Sequence, residues 1–263
     1  MCGLAKVRGI LFDLDGVLYN GYEAIAGAAE AVAWVREHGI PHLFVTNTTS
    51  RGAEVIAEKL RGFGIPAEVS EILTPPRAAV EWLAGRPRQP LALFVPPKTQ
   101  GEFAGFEVVA NDAETGAGYV IVGDLGERWD FRTLNRAFRL LHHNPEAKLI
   151  ALGMTRYWQA HDGVRLDTAP FVVALEHATR KRAVVLGKPS QEFFDAAVAR
   201  LGLAHKDVLM IGDDIRADIA GAQAAGLKAA LVRTGKFRPS DLDEGIVPDM
   251  LLDSVVGVQE VFA

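Results

Sequence analysis

The sequence predicts an α/β protein, with a parallel-sheet core interrupted by a large inserted α/β unit. Three observations predict it. Short apolar runs alternate with longer amphipathic segments, the rhythm of strands joined by helices. Several of those apolar runs end directly in a polar or charged residue. The alternation breaks off near residue 75 and resumes near residue 182, after about a hundred residues that carry elements of their own.

Residues 7–12 read as a strand ending at Asp13, and 28–38 as a helix stopped by Gly39. A second strand over 42–45 leads into the cap-rich turn Thr46-Asn47-Thr48-Thr49-Ser50. The helical spacing of 53–63 then ends at Gly64. Late in the chain the pattern returns with strands over 183–186, 208–211 and 229–232 and helices over 191–201 and 215–225. Strands separated by helices imply parallel pairing through right-handed crossovers. Between the two halves lie the Pro-rich stretches Thr74-Pro75-Pro76 and Arg86-Pro87-Arg88-Gln89-Pro90. Beyond them come strands over 91–95, 119–122 and 148–152 and helices over 131–143 and 171–179. That is too much structure for a loop and enough for a small domain. The expected organisation is a discontinuous core, 1–75 and 182–263, with an inserted unit at 76–181.

Composition narrows the function classes. The chain has 263 residues, 49% of them hydrophobic and 23% charged, with a mean hydropathy of +0.12, which suits a packed globular protein. Lys and Arg number 28 against 33 Asp and Glu, a formal charge of −5, so no bulk positive field attracts nucleic acid. Cys2, the one cysteine, has no partner for an internal disulfide and suits a reducing compartment. No stretch reaches the roughly 18 unbroken apolar residues of a membrane span, and residues 1–8 do not resemble a secretory signal. A cytoplasmic location and no membrane partner are the expectations.

The chemistry concentrates where predicted strands end. Asp13-Leu14-Asp15-Gly16 follows the first strand, and open α/β sheets bind ligands at the carboxyl ends of their strands. Two carboxylates at i and i+2 project toward one side and repel unless a cation or proton relieves them, which suggests Mg²⁺. A solvated strand-end turn also accommodates an isolated pair of this kind. Gly212-Asp213-Asp214, with Asp218 one turn on, follows the strand at 208–211, where helix capping alone would also select Asp. Thr46-Asn47 offers a hydroxyl and backbone N–H groups to a phosphate, or plain caps. In Gly187-Lys188-Pro189-Ser190 the lysine could reach the same crevice. Val122-Gly123-Asp124 lacks the second Asp and reads as an ordinary turn, whereas Thr234-Gly235-Lys236 after the last strand could border the crevice at its carboxyl edge but reads first as a plain surface turn. Four stations, an Asp pair, a Thr, a Lys and an acidic group, are improbable as independent capping accidents.

That order, DxDG, Thr-Asn, Lys-Pro, GDD(x3)D, resembles the haloacid dehalogenase-like hydrolase superfamily. The large insert between the Thr and Lys motifs resembles its type IIA (NagD-like) cap. The resemblance implies a Rossmann-like core with a C2-type cap, and a Mg²⁺-dependent phosphatase acting on phosphoric monoesters, phosphoamides or pyrophosphate. It implies Asp13 as nucleophile and Asp15 as general acid and base. Mg²⁺ would lie on the Asp13 carboxylate, the Asp15 carbonyl and Asp213, with Asp214 and Asp218 in the outer shell. Thr46, Asn47 and Lys188 would bind the phosphoryl group.

The same resemblance makes the insert a lid that excludes water and reads the leaving group. Arg156, Tyr157, Trp158 and Asp162, on an irregular stretch after the strand at 148–152, are the candidates for contact with a small phosphorylated substrate. Packing of Tyr157 and Trp158 in the insert's core or on a homodimer surface is the other reading. His142, His143 and His161 are not spaced as metal ligands. A non-catalytic phosphate-binding or regulatory protein on the same scaffold is the alternative from another class. Phosphoacceptor modules share the acids, Thr and Lys, but they lack the second Asp of the first motif and a large insert.

Overall fold

A computed structural model describes residues 7–160 and 162–262; Cys2 and His161 lie outside the described residues. The strands of its two parallel sheets are, in chain order, β1 (Gly9–Asp13), β2 (His42–Val45), β3 (Ile72–Leu73), β4 (Leu91–Phe94), β5 (Tyr119–Val122), β6 (Lys148–Ala151), β7 (Val184–Val185), β8 (Val208–Gly212), β9 (Lys228–Val232) and β10 (Met250–Leu252). By its contacts the chain divides into two compact units. One takes in the chain up to Thr46, Ala53–Leu73 and Lys188 onward, and the other Asn47–Gly52 and Thr74–Gly187.

The first unit holds a six-stranded parallel sheet in the order β10-β9-β8-β1-β2-β3. All five residues of β1 are buried, because a parallel sheet with helices on both faces leaves its central strands no solvent side. Phe12 and Phe44 stack across β1 and β2, their ring centroids 6.1 Å apart. The helix Ala28–Glu37 buries Ala28, Ala31, Val32 and Val35, the i, i+3, i+4, i+7 stripe of an amphipathic helix. Ser190 caps the helix Gln191–Leu201 by accepting from the Phe193 N–H, and Gly202 ends it in the left-handed region. From β1 the chain passes to β2 and β3 on one side, and later returns to β8 on the other. The carboxyl ends of β1 and β8 therefore flank a topological switch point, where open sheets form their binding crevice.

The second unit has its own four-stranded parallel sheet, β7-β6-β5-β4. Trp129 is sandwiched between Phe94 and Phe171, with centroids at 5.8 and 4.7 Å, and donates Nε1–H to the Gly123 carbonyl. Asp130 caps the helix Phe131–His142 through the Thr133 N–H.

Three expectations need correction. The strand expected over 183–186 as part of the core sheet is β7, which pairs with β6 of the second unit. The Pro-rich stretch after Thr74 is a helix, Pro75–Ala84, since Pro at its first positions forfeits no intrahelical donor and Thr74 caps it. Tyr157 and Trp158 lie in an antiparallel hairpin, Tyr157–Ala160 with Gly163–Leu166, rather than on an irregular stretch. Among the described residues no helix is long and apolar enough to cross a membrane.

Removal of the buried Phe44 ring in Phe44→Ala should cost about 3–5 kcal/mol. Val173→Ala, at a half-exposed helix position, should change stability by no more than about 0.5 kcal/mol. Urea midpoints for the two variants check this, and equal shifts would contradict the burial pattern.

Candidate active site

The site is built on the carboxyl ends of β1 and β8. Asp13 is the last residue of β1 and is buried, so the strand itself fixes its carboxylate at the crevice. Asp213 and Asp218 are each 1% exposed, in the segment that leaves β8. That segment is a wide-turn π-helix, Ile215–Ala220, in which the Asp214 carbonyl accepts from both the Asp218 and Ile219 N–H groups. Asp214 caps it, its Oδ1 accepting from the N–H groups of Arg216 and Ala217. Asp218 in turn folds back, and its Oδ2 accepts from the Asp214 N–H at 3.2 Å. Gly212 permits this, because a Cβ there would stand 2.2 Å from the Asp218 side chain.

Lys188 lies between these acids. Its buried Nζ is 2.6 Å from Asp13 Oδ1 and 2.6 Å from Asp218 Oδ1. Oxygens of Asp13, Asp213 and Asp218 all lie within 4.8 Å of one another, a group that could hold a metal ion. One atom fits that role in particular. Asp213 Oδ1 is buried with no hydrogen-bond partner, while its Oδ2 accepts from the Lys236 N–H at 2.7 Å. A hard divalent cation prefers carboxylate oxygens of this kind.

The electrostatics follow from this crowding. Burial, opposed by the Lys188 ammonium and reinforced by Asp218 and Asp213, pushes the Asp13 carboxyl up to about 7. Burial also pushes Asp213 up to about 6, against the Lys236 N–H and ammonium. At Lys188 burial works against the charge, but Asp13 and Asp218 outweigh it and hold its pKa above the usual lysine range. Burial opposes ionisation of Asp214 too, yet the Ala217 N–H, the Lys236 charge and the Arg216 N–H hold it below the usual carboxylate range.

The structure thus brings Asp13, Asp213, Asp218 and Lys188 together. Asp218, expected outside the metal's immediate ligands, has its carboxylate inside the cluster, where it also pairs with Lys188. The Asp15 carboxylate lies outside the cluster. It is exposed, and its Oδ1 accepts from the Gly21 N–H of the small hairpin formed by Tyr19–Asn20 and Glu23–Ala24. Thr46 is buried beyond the end of β2, with its N–H on the Leu73 carbonyl. Asn47 belongs to the second unit, where its Oδ1 lies 3.2 Å from where a Cβ of Gly187 would stand.

The insert candidates are on the surface of the second unit. Tyr157 and Trp158 are 55% and 43% exposed, too open to form the core that Trp129 and its neighbours supply. Arg156 lies 5.7 Å from the Tyr157 ring centroid, and Asp162 pairs with Arg165. Asp124, at the near-copy of the β8 motif, accepts from the Gly126 N–H as an ordinary turn does.

Residues 234–236, read first as a surface turn, take the other place their position allowed, at the crevice: Thr234 Oγ1 donates to the Gly16 carbonyl at 2.6 Å, and the Lys236 N–H holds Asp213. The contact runs through backbone groups, so side-chain type gives little sign of it.

Two family models match the chain, one described as haloacid dehalogenase-like hydrolase over residues 10–105 and one as HAD-hydrolase-like over residues 185–258. The phospholysine phosphohistidine inorganic pyrophosphate phosphatase of Danio rerio is 37% identical over 257 residues, 96% of this chain and 93% of that protein. The haloacid dehalogenase-like hydrolase domain-containing protein 2 of Pongo abelii is 37% identical, covering 94% of this chain and 92% of its own length. The solved structure of p-nitrophenyl phosphatase from Archaeoglobus fulgidus superposes with a TM-score of 0.87 at 30% identity, covering 97% of this chain and 99% of that one.

Asp13 and Asp213 hold protons in the folded, metal-free protein that the unfolded chain gives up near pH 4. Stability of the metal-free protein should therefore fall as pH rises from about 4 to about 7. A divalent cation competes with those protons. Its stabilisation, read as a shift in Tm, should be small at about pH 5.5 and larger at about pH 8. A shift that is equal at both values would contradict the assignment.

Proposed function

We propose, since the chain belongs to the haloacid dehalogenase-like hydrolase family, that it is a Mg²⁺-dependent phosphatase of small phosphorylated compounds, working through a phosphorylated Asp13. The observation that carries the reading is the imbalance at the switch point. Three buried carboxylates share one buried ammonium, and the leading carboxylate is the last residue of the central strand. Burying that much negative charge is costly without a function that uses it.

Asp13 attacks phosphorus through its carboxylate, forming a P–O bond as the bond to the leaving atom breaks. Asp15 protonates that leaving atom. In the second half-reaction Asp15 takes a proton from water, whose oxygen attacks phosphorus and releases Asp13 and inorganic phosphate. The exposure of Asp15 and its tether to Gly21 suit a proton carrier that works in both directions. Lys188 keeps Asp13 oriented and offsets charge on the transferring group. The Thr46 hydroxyl and the Asn47 N–H bind phosphoryl oxygens. Asp13, the Asp15 carbonyl and Asp213 would hold Mg²⁺, which would supply positive charge to keep Asp13 ionised and to polarise the phosphoryl oxygens.

Arg156, Tyr157 and Trp158 of the second unit select the substrate in this reading, with a cation and two aromatic faces for an anionic or planar leaving group. The names of the two curated relatives, one a phosphatase of phospholysine, phosphohistidine and pyrophosphate, make P–N and P–O–P compounds the first to try beside phosphoric monoesters.

Asp13→Asn should lower phosphate release by about 10³-fold or more while circular dichroism stays unchanged. Asp15→Asn should slow the first-turnover release of an alkyl leaving group by about 10²–10⁴-fold and that of p-nitrophenolate, which needs no proton, far less, while hydrolysis of the phosphorylated enzyme slows equally for both. Wild-type turnover in Asp13→Asn would refute covalent catalysis, and equal first-turnover losses for both leaving groups in Asp15→Asn would refute its acid role.

A further inference from the structure

Asp213 offers its two oxygens unequally. Oδ2 accepts from the Lys236 N–H at 2.7 Å and lies between two glycines, Gly16 and Gly235, both with positive φ. A Cβ at Gly16 would stand 2.0 Å from that oxygen, and one at Gly235 2.2 Å from it. Only glycine on both sides lets the two backbones close around it. The turn carrying Lys236 is itself strapped to the loop after β1, because Thr234 Oγ1 donates to the Gly16 carbonyl at 2.6 Å. The strapped peptide adjoins Asp15, the residue whose carbonyl the proposed site uses. Oδ1, by contrast, is buried and has no hydrogen-bond partner.

We infer that residues 234–236 form a positioning turn that allows Asp213 to present one oxygen only, and so makes the site select Mg²⁺ over Ca²⁺. The inference rests on the reading of Asp13 and Asp213 as metal ligands. Mg²⁺ demands near-octahedral geometry at short distance and takes carboxylates through single oxygens. Ca²⁺ accepts six to eight oxygens and readily takes a carboxylate through both. With Oδ2 committed to a backbone N–H, two-oxygen binding at Asp213 would break a charge-assisted hydrogen bond in a buried place. The Lys236 ammonium, 3.6 Å from Asp214 Oδ2 and largely exposed, is not part of this restraint. The backbone N–H is.

The test is calorimetric titration of the full chain with Mg²⁺ and, separately, with Ca²⁺, in the absence of substrate. Thr234→Val removes the strap at constant shape, and Gly235→Ala forces a methyl group against Oδ2. In either variant the ratio of Mg²⁺ to Ca²⁺ affinity should fall about tenfold, the effect of one lost hydrogen bond. Thr234→Ser should restore the ratio. Lys236→Ala keeps the N–H and should preserve the ratio even where both affinities rise. Equal loss of both metals in the two variants that fold would show a merely structural turn and overturn the inference, as would an unmoved ratio. A wild-type chain that takes up no Mg²⁺ overturns the metal site and the inference together, whereas wild-type uptake with an unmoved ratio in the variants overturns the inference alone.

Discussion

The ion pairs of Lys188 with Asp13 and Asp218 are the contact on which the rest of the site depends. A lysine ammonium buried at 2.6 Å from each of two carboxylates is held by both, and its removal would leave both acids buried without a counter-charge. The pairs also join segments far apart in sequence: the end of β1, the start of the chain's return to the first unit at Lys188, and the π-helix after β8. Because Lys188 is shared with Asp218, it orients Asp13 without matching the negative charge of the cluster. Asp213 is the third carboxylate, and its unpartnered oxygen is where the remaining charge is directed.

The fold supplies the meeting point. With β2 and β8 on opposite sides of β1, the loops leaving β1 and β8 diverge and open a crevice at their carboxyl ends. The π-helix is the local device that fits the acids in. Its wider turn lets one carbonyl, that of Asp214, serve two N–H groups, and the Asp218 side chain folds back against the glycine that closes β8. Backbone groups then share the task of orienting carboxylates with the side chains, at Asp213, Asp214 and Asp15 alike.

Much of this was legible in the sequence, and the exceptions have physical causes. The strands β1, β2, β8 and β9 could be read because each is an apolar run flanked by turn residues, and Asp13, Asp213 and Lys188 because each follows such a run. β3 and β10 are too short to show a period. β7 reads as a strand, but two residues of β-branched sequence carry no information about which sheet they join, and they join the second unit's. Pro75 and Pro76 resemble a linker until their place at the first helical positions is known. The place of Asp218 within the cluster depends on its carboxylate folding back onto the Asp214 N–H and Lys188, contacts that its spacing alone does not reveal. The N–H of Lys236 leaves no trace in residue type at all. Tyr157 and Trp158 were conspicuous as aromatics, and their exposure on a hairpin separates them from the core that Phe94, Trp129 and Phe171 build.

The central claim is that Asp13 carries the phosphoryl group between substrate and water. Acid quenching during steady turnover, followed by peptide mass spectrometry, tests it directly. The account predicts a fraction of the peptide containing Asp13 heavier by one phosphoryl group, the modification lying on Asp13 and disappearing when substrate is exhausted. Phosphate release with that peptide unmodified at every quench time, both in the wild-type chain and in Asp15→Asn, whose second half-reaction is slowed, would contradict it.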